Sequence, residues 1–158
     1  EQRQFGDLQT QLRVGLFAHP SAIGIAPTAE EANPLYMKAI RHAFDLYKTF
    51  MRPMLPESKV YHHTPVLPYE QAGDWTVLEY ASADGARAYA GLFRNSDDGA
   101  PEYCFKPRGL KMSRRYRVRF DNRDEAVVRS GYELMQSGIM VRIEGGIRSE
   151  LILFDEVK

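Results

Sequence analysis

The densest concentration of chemically versatile side chains is the pair His62-His63, inside the strand-like run Lys59-Val-Tyr-His-His-Thr64. Neighbouring residues on a strand point to opposite faces, so these two imidazoles cannot ligate one metal from this pair alone. His19 and His42 lie elsewhere in the chain, and no cysteine or carboxylate stands at metal-ligand spacing. The expectation is one histidine packed and hydrogen-bonded, the other wet, with no metal and no cofactor. Asp97-Asp98 and Asp121 with Asp124 are the carboxylate pairs that glycoside hydrolysis could use across a cleft. They lie in Asn- and Gly-containing hairpin loops, where aspartate is favoured for turn geometry, so they read as solvated turn residues. Arg115, Arg117 and Arg119 form a basic stripe that could meet an acidic partner surface or ordinary cross-strand carboxylates. Trp75 and Tyr80 can make an aromatic platform for a sugar ring, and a core tryptophan beside a hairpin explains them as well. Cys104 is the single cysteine, which excludes an internal disulfide. In Glu102-Tyr-Cys-Phe105 it reads as a small buried core residue rather than a reactive thiol. Gly145-Gly146 connects strands and precedes no helix, so it is not a phosphate loop. No nucleophile elbow, P-loop or dinucleotide fingerprint is present. The residues alone give no catalytic constellation.

The elements that must carry these side chains are mostly strands. Tyr116, Val118 and Phe120 alternate with Arg115, Arg117 and Arg119, the pattern of a half-buried strand. Ile139, Val141 and Ile143 repeat it. Leu151 to Phe154 is continuously apolar, which suits a strand buried on both faces or a closing strand. Ser130, followed by Glu133 three residues on, is a capping box for one helical turn, and Gly138 supplies its left-handed stop. Further strands are expected over 59–64, 75–82, 87–94 and 102–106, with Asp84-Gly85 as a hairpin signal. Together these make about eight strands in about 100 residues, the size of an antiparallel β-sandwich.

The first 52 residues have a different grammar. A helix over 5–19 is expected, with Asp7 as a possible cap and Leu8, Leu12 and Leu16 on one face. The small apolar run 21–26 resembles a buried parallel strand. Asn33 caps a long helix over 34–51 that opens on Pro34 and carries Leu35, Ala39, Phe44, Tyr47, Phe50 and Met51 on its apolar face. The proline-rich stretch 53–58 marks the boundary. The chain carries 21 basic and 21 acidic residues, so nothing electrostatic points to nucleic acid or an anionic membrane. No window is apolar enough for a membrane span. The start at Glu1-Gln2-Arg3 suggests an excised fragment.

The run Phe50-Met-Arg-Pro-Met-Leu-Pro with Lys59-Val-Tyr-His-His-Thr-Pro65, then Gly109-Leu, Arg115-Tyr-Arg-Val, Ser130-Gly-Tyr-Glu-Leu-Met-Gln-Ser-Gly-Ile139 and Ser149-Glu-Leu, resembles the C-terminal region of melibiase-type alpha-galactosidases of glycoside hydrolase family 36. The resemblance implies a mainly β fold: a Greek-key type sandwich at 59–158, preceded at 1–52 by the last helix–strand–helix of a (β/α)8 barrel. It also implies a parent that hydrolyses terminal alpha-galactosides with two barrel aspartates. No position here matches those aspartates, so no catalytic residue is assigned. The loop around Thr28 would face the barrel mouth, which makes Thr28 a candidate for substrate contact, beside Trp75 of the aromatic platform. The implied partners are the carbohydrate substrate of the intact enzyme and its own barrel. Leu8, Leu12, Leu16 and the 34–51 helix are expected to pack on the sandwich or on a second copy. Two alternatives are a carbohydrate-binding module presenting Trp75, Tyr80 or Tyr89, and a structural or oligomerisation domain.

Overall fold

The computed structural model describes residues 7–18, 20, 33–123 and 125–157. The expected strand at 21–26, Thr28, His19 and Asp124 lie outside the described residues. Eight strands are described: β1 (Lys59–His62), β2 (Trp75–Ala81), β3 (Arg87–Arg94), β4 (Glu102–Phe105), β5 (Arg115–Phe120), β6 (Glu125–Ser130), β7 (Ile139–Arg142) and β8 (Ser149–Glu156). Six form one antiparallel sheet in the order β1-β2-β3-β8-β5-β6, and β4 pairs with β7 in a small second sheet. The layers are unequal, so the sandwich is lopsided.

Alternation explains which side chain goes where. Val77, Ala88, Leu92, Val118, Ile152 and Phe154 point from the large sheet into the space beneath the small one. Phe105 and Val141 of the small sheet meet them there, with Leu134 of α3 (Gly131–Gln136). Fully burying one such side chain contributes about 1.5–3 kcal/mol. The α3 turn begins as its sequence requires: Ser130 Oγ accepts from Glu133 N, and the Glu133 carboxylate accepts from Ser130 N. Gly138 closes it at a φ of 80°, where a side chain would be strained.

The strand β8 runs between β3 and β5 and is buried on both faces. Its other face, Leu151 and Leu153, joins Tyr89 and Phe93 of β3 under a helical layer. That layer is α1 (Leu8–Phe17) and α2 (Pro34–Leu46). Asp7 caps α1 by accepting from Thr10 N, and Asn33 caps α2 by accepting from Leu35 N. Leu16 and Phe17 of α1 are buried against the sheet. After Leu46 the helix widens into a π turn over Tyr47–Met51, where Arg52 N donates to Tyr47 O at 2.7 Å. The extra residue shifts the helical phase, and adjacent Phe50 and Met51 are both buried. The start of α2 departs from expectation: Leu35 is 75% exposed and touches neither core cluster.

Gly91 sets how closely α1 approaches. A Cβ there would lie 2.5 Å from Phe17 Cε2. The bare position lets the Phe17 ring settle 5.0 Å from Tyr89 and 5.9 Å from Phe93.

Candidate functional site

Two buried polar clusters hold side chains that could do chemistry. The first joins both helices to the sheet. Arg13 of α1 is 3% exposed and donates through Nη2 to Asp121 Oδ2 at 2.7 Å and through Nη1 to Ser149 O at 2.7 Å. His42 of α2 meets the other Asp121 oxygen at 2.6 Å. The hydroxyls of Thr10 and Ser149 lie 2.7 Å apart. Asp7 accepts from Arg148 N as well as from its own helix. Burial acts to raise the Asp7 carboxyl, but these hydrogen bonds outweigh it and hold it below its ordinary value. Next to Ser149, Glu150 is buried, and its Oε1 accepts from Asn122 N and Leu151 N. Burial pushes the Glu150 carboxyl above its ordinary value despite those bonds and the nearby Arg13 charge.

The second cluster lies on the opposite face of the sheet. Glu79 of β2 is fully buried. Its Oε2 sits 2.7 Å from His63 Nε2 and accepts from Arg108 N at 2.9 Å, while Oε1 accepts from Gly109 N at 2.8 Å. One carboxylate therefore pins the 106–110 loop and the residues after β1. The His63 ring packs 4.9 Å from Phe105.

Every acid in these clusters is engaged by donors from its own chain. Asp121 and Glu150 are near enough to feel each other's charge, yet Arg13, His42 and two backbone amides already occupy them. The arrangement binds elements together and offers no open pair of carboxyls to a substrate. Among the described residues no cluster of histidine, cysteine, aspartate or glutamate could hold a metal ion.

The segment carrying most of this architecture matches a family model. The Glycosyl hydrolase family 36 C-terminal domain aligns with residues 75–154. The chain belongs to that family. The fold agrees. The galactosidase domain of alpha-galactosidase-sucrose kinase (AgaSK) superposes with a TM-score of 0.63 at 17% identity, over 80% of this chain. The family 36 alpha-galactosidase AgaA from Geobacillus stearothermophilus does so with 0.58 at 19% identity, over 85%. The chain spans 17% of the length of each. No curated protein matches it in sequence.

Within this family 36 domain several side chains stand where the sequence reading put them and several do not. His63 is packed and His62 exposed. Trp75 is only 8% exposed, its Nε1 donates to Ala100 O, and its ring lies 5.5 Å from Tyr103. Tyr80 stacks on buried Tyr89 at 5.2 Å and donates to Phe17 O. Rings so placed leave no open platform for a sugar. Asp121 is not a solvated turn residue: Arg13 recruits it into the joint, leaving its side chain 12% exposed. Cys104 is exposed, because Tyr103 and Phe105 take the inward positions on either side of it. Arg119 does find a cross-strand carboxylate, Asp155, at 3.0 Å.

Sequence reasoning missed Arg13 and Glu79. Each left a trace. Arg13 lies three and four residues before Leu16 and Phe17, on the face they bury. Glu79 falls on the inward alternation of Trp75, Val77 and Ala81, where a charge needs a partner.

Proposed function

We propose that this chain is the non-catalytic C-terminal portion of an alpha-galactosidase-like glycoside hydrolase, and that it braces the barrel of that enzyme. The parent hydrolyses terminal alpha-galactosides by retaining chemistry on two carboxylates that lie outside this chain. Residues 1–52 are the closing helix–strand–helix of the barrel, residues 53–58 the boundary, and residues 59–158 the sandwich.

The single observation that carries this reading is the joint at Arg13. A buried guanidinium tied to Asp121 and Ser149 fixes α1 against the sheet, as bracing requires. Family membership agrees with it, and so do the structural neighbours, both alpha-galactosidases. The chain is expected to show no turnover of a nitrophenyl alpha-galactoside at any pH from 4 to 8. Measurable turnover by the purified chain would overturn the assignment of roles.

A further inference from the structure

The outer face of the β5–β6 ribbon carries two arginines, Arg115 and Arg117, that hold no carboxylate among the described residues. The neighbours Arg114 and Arg119 each hold a β8 carboxylate, Glu156 at 3.0 Å and Asp155 at 3.0 Å. Arg115 and Arg117 are exposed and hold none among the described residues. Arg117 stands opposite Asp155 in the ladder, but that carboxylate is taken by Arg87 and Arg119. Arg115 feels the charge of Glu133, which is committed to the Ser130 cap.

The strand beside these arginines is open. Among the described residues β6 pairs with β5 alone, so one side of its backbone offers a row of donors and acceptors. Edge strands are usually defended by their own charges. Here Glu125 is neutralised by Arg123, the middle of the strand is Ala126-Val-Val128 with Val128 45% exposed, and the remaining charge is the positive Arg129, opposite Tyr116. Register places Val128 opposite Arg117 and Ser130 opposite Arg115, so the free guanidiniums stand one strand in from the open edge. The helical layer packs on β3 and β8.

We propose that β6 is the docking edge for an extended, carboxylate-bearing segment of a partner protein, which adds a strand there with its acids facing Arg115 and Arg117. Main-chain bonds to the edge supply affinity, and the acids select the partner. An added strand lies two strand spacings from β5, about 9.5 Å, a span that an arginine and a glutamate reaching toward each other can cross. The surface is separate from the Arg13 joint and does not depend on the bracing role.

The test uses the whole chain and a fluorescein-labelled octapeptide alternating glutamate and valine, followed by anisotropy at low and high salt. Binding is expected, weakened by salt, and reduced about tenfold or more by the exposed double substitution Arg115→Glu with Arg117→Glu. A peptide with alternate amides N-methylated is expected to lose binding too, because it cannot continue the ladder. Circular dichroism of the double variant checks that its fold is intact. No binding of the acidic peptide would overturn the proposal, as would equal binding of a lysine–valine peptide. Insensitivity to N-methylation would overturn the strand mode, and concentration-dependent dimerisation abolished by the same substitutions would give the edge to a second copy instead.

Discussion

The two faces of the six-stranded sheet are built on different principles. The face toward the small sheet is mostly apolar, closed by Phe105, Leu134 and Val141, and its central buried acid, Glu79, has partners for both oxygens. The face toward the helices has an aromatic centre of Phe17, Tyr80, Tyr89 and Phe93 and a polar joint at one end. Each side leaves a buried polar atom without a hydrogen-bond partner, the Tyr89 hydroxyl and Arg119 Nε here and Arg94 Nε toward the small sheet. The first face is a self-sufficient core. The second is a seam between two bodies, held by a few directional contacts.

The sharpest way to break this contrast is on the sandwich side. Glu79→Leu leaves Arg108 N, Gly109 N and His63 without their acceptor. The expected cost is about 3–5 kcal/mol. Unfolding should stay cooperative, with the fluorescence of the sole tryptophan, Trp75, and the far-ultraviolet signal lost together at a much lower denaturant midpoint.

On the seam side, Arg13→Met keeps the aliphatic stem and removes three hydrogen bonds. A loss of about 2–3 kcal/mol is expected, and it should appear first in the helical layer. Helical ellipticity would then fall before Trp75 fluorescence, and coincident transitions would show that the seam is not a separate unit.

Gly91→Ala attacks the seam by volume instead of charge. The added methyl would lie 2.5 Å from the Phe17 ring and 2.8 Å from the Phe93 ring, so α1 must lift or the rings must turn. About 1–2 kcal/mol of destabilisation is expected, with an unchanged Trp75 emission maximum. A shift in that maximum would mean that the two faces communicate.

The smallest effect is a pH signature. Burial makes Glu150 hold its proton more tightly in the folded chain than in the unfolded one. Its contribution is therefore most favourable below the ordinary glutamate value of 4.5 and is lost as the pH rises through the higher folded value. Glu150→Gln keeps an acceptor for Asn122 N and Leu151 N. It should melt at a higher temperature than the parent at pH 7, with the gain shrinking toward pH 4. A gain that is independent of pH would deny the burial effect.

The elements were legible wherever one face of a strand met a single environment. Alternation in 115–120 and the apolar run 151–154 marked a half-buried strand and a central one, and the capping box at Ser130 marked its turn. The seam was harder to read because its contacts span more than a hundred residues, as Arg13 to Asp121 and Ser149 does. Local pattern carries no information about such a partner, so Asp121 looked like an ordinary turn aspartate. Cys104 shows a second limit. Its neighbours Tyr103 and Phe105 are larger, and with a period of two only one parity can face inward. The exposed Leu35 shows a third, since helical spacing marks an apolar stripe without saying how far along the helix its cover extends.

The central claim, a closed sandwich core carrying a separately latched helical layer, is tested most directly by native-state hydrogen exchange resolved to single amides. The account predicts two tiers: amides of α1 and α2 exchange through openings much easier than global unfolding, while those of β2, β3, β5 and β8 exchange only with it. Equal opening free energies across helices and strands would contradict it.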